Sequence, residues 1–144
     1  MNKTLKYLCI IVYALTITAT AAQAADKADE ATPSVDWEPV MAAIIQVESS
    51  GRSHARNGNQ CGAMQITPIL VQECNNILKA RKSKKRYTLD DRFSIKKSKE
   101  MFLLIQSRHN PDNNVEHAIR SWNGGQHYSR RATQRYYEKV MRHL

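Results

Sequence analysis

The sequence predicts a single, mainly α domain, and three observations carry that reading. Apolar residues recur at helical spacing in five separate stretches, each bounded by capping or breaking residues, while the alternation expected of strands is nearly absent. The chain is 144 residues long, enough for one core of modest size and little else. Its composition, 42% apolar and 24% charged, is ordinary for a globular protein and excludes wholesale disorder. No Gly/Pro-rich tract and no repeat of solenoid length is present. A multidomain enzyme with a dinucleotide-binding half does not fit.

The first segment reads as targeting rather than fold. Lys3 and Lys6 precede an uncharged apolar run, Leu8 to Leu15, and Ala22-Gln23-Ala24 supplies a small-x-small cleavage pattern. The run is short for a membrane span, and Cys9 lacks the small preceding residue of a lipidation site. Residues 1–24 are therefore expected to be a signal peptide, 25–35 a flexible lead-in and 36–144 the folded domain, with no stable membrane anchor after cleavage. A periplasmic or secreted protein follows. The exported chain, Ala25 to Leu144, keeps 20 basic and 13 acidic side chains, a net charge of +7.

From Asp36 the first helical stripe runs through Trp37, Val40, Met41, Ile44 and Ile45, with Ser34 or Asp36 as cap, Pro39 in the first turn and Gly51 as terminator. Residues 52–66, punctuated by Gly58 and Gly62, read as loop or short hairpin. Thr67-Pro68 opens a second helix whose stripe is Leu70, Val71, Cys74, Ile77 and Leu78. A third begins near Ser94 and buries Ile95, Phe102 and Ile105, until Pro111-Asp112 breaks it. Val115, Ala118, Ile119 and Trp122 form a fourth, stopped by Asn123-Gly124-Gly125. Ser129 opens the last, with Tyr136, Tyr137, Val140 and Met141 facing inward. The exported chain keeps two cysteines, Cys61 and Cys74, and export permits a disulfide between them. That bridge would contribute about 3 kcal/mol on the chain-entropy model. Cys74 also falls on an apolar stripe, so a pair of unlinked thiols stays equally open.

One residue breaks the hydrophobic pattern. Glu48 lies seven residues after Met41, four after Ile44 and three after Ile45, on the same face as the buried stripe. It also occupies the last turn, where the negative end of the helix dipole opposes a carboxylate. Desolvation and dipole both favour the protonated form, and a carboxyl kept protonated near neutral pH is what a general acid requires. A buried Glu paired with a cation is the plainer alternative.

The surroundings of Glu48 add to this. Glu48-Ser49-Ser50-Gly51 is followed by Gly62-Ala63-Met64-Gln65-Ile66-Thr67-Pro68, then Ala118-Ile119-Arg120-Ser121-Trp122-Asn123-Gly124-Gly125, then Thr133-Gln134-Arg135-Tyr136-Tyr137. In order and spacing this resembles the catalytic domain of soluble lytic transglycosylases, relatives of goose-type lysozyme, over residues 37–141. The resemblance implies a lysozyme-like fold, peptidoglycan as substrate, and cleavage between N-acetylmuramic acid and N-acetylglucosamine with formation of a 1,6-anhydromuramyl end. Glu48 matches the family's catalytic acid, which then acts as base. Gln65, Met64, Asn57, Trp122, Asn123 and Tyr136 match substrate-binding or pocket-bordering positions, although Met64 and Tyr136 suit core packing and Asn123 a helix C-cap. Ser49 and Gly62 match supporting positions. Neither the Glu48 motif nor residues 62–68 carry a second acid, as most glycosidases require. That fits a substrate-assisted route better than simple hydrolysis.

Three positions depart from the family pattern. Trp122 replaces the usual Tyr, Asn57 stands where a Ser is frequent, and Ala132 stands where many members carry Glu. They keep two alternatives in view: a hydrolytic muramidase, and a weakly active wall-binding accessory of a secretion or conjugation apparatus. Six basic side chains fall within residues 79–86, which reads first as a solvated loop and second as a grip on acidic polymers. Export and the lack of a recognition helix argue against nucleic acid. The five scattered His and the absence of His-Glu-x-x-His or Cys-x-x-Cys spacing argue against a metal. A monomer without cofactor is expected.

Overall fold

The computed structural model describes residues 35–144. The expected signal peptide, Cys9 and all but the end of the lead-in lie outside the described residues. Helix α1 (Glu38–Ser49) is followed by strands β1 (Arg56–Asn57) and β2 (Gln60–Cys61), then helix α2 (Pro68–Ala80) and a 3-10 turn (Leu89–Phe93). Helices α3 (Ile95–His109), α4 (Val115–Gly124) and α5 (Arg130–Met141) complete the domain. The two strands form an antiparallel hairpin, Arg56 opposite Cys61 and Asn57 opposite Gln60. Among the described residues no helix is long and apolar enough to cross a membrane.

Side-chain caps set most helix starts. Thr67 Oγ1 accepts the Leu70 N–H at 3.2 Å ahead of Pro68, and Ser94, Asn114 and Ser129 cap α3, α4 and α5 in the same way. Helix α1 differs from expectation: its N-cap position is Trp37, and Asp36 Oδ1 instead takes the Glu38 N–H at 3.0 Å. Its left-handed exit begins at Ser50 (φ 53°), one residue before Gly51.

Helix α1 packs against α4 and α5, α2 against α3, and α4 against α5. The core runs through Met41 and Ile44 of α1, Met64 and Ile66 of the following loop, Phe102 of α3, Ile119 of α4 and Val140 of α5. Phe102 meets Trp37 edge-on at 5.7 Å and Trp122 at 5.2 Å, joining three helical segments through one ring. Two inward assignments fail: Ile95 is 39% and Met141 41% exposed. They are the first residue of α3 and the last of α5. Periodicity gives the face of a terminal residue but not whether a neighbour extends far enough to cover it. The buried stripes contain polar members instead, Ser98 in α3 and Thr133 in α5.

Cys61 and Cys74 are unlinked, buried thiols, so the disulfide alternative is not realised. Cys74 faces the Met101 carbonyl from the core side of α2, and Cys61 is taken up in the hairpin beside Arg56. Desolvation pushes the Cys74 thiol up to about 12.

Two buried arginines brace the fold. Arg92 donates to the carbonyls of Leu89, Asn59 and Ile66, clamping the hairpin loop to the 3-10 turn. Arg120 bonds Glu116 at 2.7 Å, Thr133 Oγ1 at 3.1 Å, Gln134 Oε1 at 2.8 Å and the Arg130 carbonyl at 3.0 Å. Its guanidinium lies 4.3 Å from the Tyr137 ring centre. A buried cation with all three guanidinium nitrogens hydrogen-bonded ties α4 to α5.

Candidate active site

Glu48 occupies the penultimate position of α1 and opens into a cavity of about 390 Å³. Because α1 packs on α5, Tyr136 reaches it: the phenol O–H donates to Glu48 Oε1 at 2.7 Å. Burial raises the Glu48 carboxyl above its ordinary value, and the Tyr136 hydrogen bond offsets part of that rise. Tyr136 is itself held firmly protonated by burial and by the adjacent carboxylate. No cation pairs with Glu48 among the described residues, so the plainer alternative of a structural ion pair does not describe it.

The loop beneath the site is built from the end of α1. Ser49 Oγ donates to the Ala63 carbonyl at 2.8 Å, tying the residue after Glu48 to the segment 62–67. Gly62 has φ +81°, and a Cβ there would lie 1.7 Å from the Arg92 carbonyl oxygen. The close approach that only glycine permits is therefore to the 3-10 turn. Gln65 also adopts a left-handed conformation, φ 52°. Its Nε2 donates to Gly62 O at 2.9 Å and Ala55 O at 3.4 Å. Both amide hydrogens are used in holding the loop, and Oε1, which bonds none of the described residues, is the atom left for a ligand.

Across the cavity Trp122 donates its indole N–H to the Met64 carbonyl at 3.2 Å. The replacement of a phenol by an indole thus joins α4 to the loop under Glu48. Met64 itself is fully buried, so its side chain supports the floor and is not exposed for contact with a ligand. Glu48, Gln65, Trp122 and Asn123 line the cavity. Asn123 belongs to the last turn of α4, whose C-cap is Gly125. Asn57, exposed on β1, is not among the lining residues, although Gln60, its partner across the hairpin, is. Ala132 is exposed on α5, where its N–H meets the Ser129 cap.

The opposite wall holds residues that sequence reasoning missed. Ile69, Leu70 and Glu73 of α2 line it, with Ile105 and His109 of α3. His109 Nε2 and Glu73 Oε1 are 2.9 Å apart, with the two side chains 28% and 40% exposed. A carboxylate beside a helical stripe reads from sequence as a solvated residue. Only the docking of α2 on α3 brings it to His109. No group of three or more potential metal ligands occurs among the described residues.

The family model described as the transglycosylase SLT domain matches residues 25–144 of this chain. No curated protein and no solved structure matches it. The chain accordingly belongs to the transglycosylase SLT domain family, whose members cleave peptidoglycan.

Proposed function

We propose that this member of the transglycosylase SLT domain family is a peptidoglycan lytic transglycosylase, exported to the cell wall, with Glu48 as its acid and then its base. The observation that carries the reading is the Glu48 carboxyl, raised by burial, bonded to one phenol and open to a cavity of glycan-binding size. In its protonated form Glu48 gives its proton to the glycosidic oxygen as the bond to muramic C1 breaks. The carboxylate left behind accepts the proton of the muramic 6-hydroxyl while that oxygen bonds to C1. The ring closes as a 1,6-anhydro sugar, the acid is regenerated and no water is consumed.

Tyr136 keeps the carboxylate oriented and moderates its basicity between the two steps. Gln65 Oε1 offers an acceptor for sugar hydroxyl or amide N–H groups, and Trp122 offers an apolar wall. Asn123 borders the same face.

A second reading, hydrolysis by a muramidase, is favoured by one observation: Glu73 places another carboxylate on the same cavity. The mass of the products decides between them. Residues 25–144, and the same chain with Glu48→Gln, would be incubated with purified peptidoglycan. Anhydro ends absent with Glu48→Gln are expected. Reducing ends, heavier by one water, would replace the transglycosylase reading with the hydrolytic one. Release unaffected by Glu48→Gln would remove Glu48 from the chemistry.

A further inference from the structure

The chain carries a formal net charge of +9, yet among the described residues no Lys or Arg lines the cavity. Its ionisable lining groups are Glu48, Glu73 and His109. In the transglycosylase reading Glu48 is occupied by the chemistry, and that reading gives Glu73 no part. Its Oε1 faces His109 Nε2, and its Oε2 bonds none of the described residues. His109 Nε2, 2.9 Å from that oxygen, fixes the direction in which the carboxylate points. On α2, Glu73 follows Ile69 by four residues and Leu70 by three, so the three share one helical face. Ile69, at 75% exposure, is a large apolar side chain left uncovered at the edge of the cavity.

An apolar strip ending in a partly exposed carboxylate suits a primary ammonium group, above all one carried on an aliphatic chain. The methylene stem lies on Ile69 and Leu70, and the charged head reaches Glu73. His109 also lines a second, polar cavity of about 270 Å³, which gives a chain passing Glu73 room to continue.

We propose that Glu73, positioned by His109, is a subsite for a primary ammonium group of the peptidoglycan substrate, so that the enzyme favours strands bearing a free amine. The proposal rests on the peptidoglycan-cleaving reading above. Two sources supply such a group: the side-chain amine of a diamino acid in the stem peptide, which the apolar strip favours, and a de-N-acetylated amino sugar.

The test compares native peptidoglycan with the same material after chemical N-acetylation of its free amines. For the wild-type chain, acetylation is expected to lower kcat/KM about five- to tenfold, mostly through KM, as for a charge-assisted contact at a partly exposed site. Glu73→Gln should bring that ratio close to one, and Glu73→Lys should invert the preference. Stripping stem peptides with an amidase before acetylation separates the sources. The discrimination vanishes if the amine is peptidic and persists if it belongs to the sugar.

Sedimentation of the Glu48→Gln chain with native and acetylated sacculi reads the same contact without turnover, so loss of the catalytic reading would not mask it. Equal use and equal binding of both materials by the wild type would overturn the subsite. So would a matching fall in kcat on both materials with Glu73→Gln, which would make Glu73 part of the chemistry.

Discussion

The two walls of the cavity hold their carboxylates by opposite means. On the α1–α5 side Glu48 is largely withdrawn from water and meets a single neutral donor, so burial outweighs hydrogen bonding and the acid form is favoured. On the α2–α3 side Glu73 is half exposed and faces the His109 imidazole at 2.9 Å, with one oxygen open to the cavity. In the function proposed above, the chemistry rests on the first wall, which leaves the second for recognition of the substrate.

The sharpest way to break that contrast is to neutralise each carboxyl in turn. Glu48→Gln is expected to lower kcat on peptidoglycan by about a thousandfold or more, the scale of a lost general acid. Glu73→Gln should leave kcat on amine-blocked substrate within about twofold. Steady-state turnover of both variants on soluble, amine-acetylated strands checks the pair. Comparable losses in the two would mean that the walls are not separate devices.

The next effect concerns the floor beneath Glu48. Gly62→Ala forces a Cβ onto the Arg92 carbonyl at a positive φ, and should cost about 3 kcal/mol or more of stability through displacement of the loop. Gly58→Ala, at φ +59° in open space on the hairpin, should cost only about 1 kcal/mol. Urea denaturation of both variants tests whether rigidity is concentrated under the acid. Equal losses would place it in the backbone torsion and not in the Arg92 contact.

Much of the first wall was legible in the sequence, and almost none of the second. Glu48 announced itself by interrupting an apolar stripe, and Thr67-Pro68 and Ser94 marked helix starts by local chemistry that acts within four residues. Glu73 and His109 are 36 residues apart in sequence, and neither breaks a pattern on its own helix. Arg92 and Arg120 are charged residues whose burial depends on partners from other elements. Asn57 holds a matched position in the motif, yet it lies on β1 outside the cavity lining. Local periodicity encodes which face is buried. It does not encode which polar side chains two packed helices bring together.

Tyr136→Phe weakens the first wall without removing its acid. The phenol O–H stabilises the charged carboxylate, so its loss raises the Glu48 pKa further. Activity that requires protonated Glu48 should then persist to higher pH, shifting the alkaline limb of the kcat/KM profile upward. The maximal rate should fall about tenfold through lost orientation. An alkaline limb that moves down, or does not move, would assign the limb to another group.

The smallest effect is on stability, and its sign is diagnostic. Because the folded pKa of Glu48 is raised above the ordinary value of 4.5, the folded chain holds that proton more tightly than the unfolded chain. The stability linked to the group is therefore complete at acid pH. It declines as the pH rises from 4.5 to the raised folded value, and levels off above it. Glu48→Gln cannot ionise, yet still offers an oxygen to the Tyr136 O–H. The variant should match the wild type near pH 4 and exceed it at pH 8, as expected when a charge disfavoured by burial is removed. Thermal melts at the two pH values measure it. A variant less stable at pH 8 would mean that the Glu48 carboxylate holds α1 and α5 together, and that the first wall is built for strength as much as for acidity.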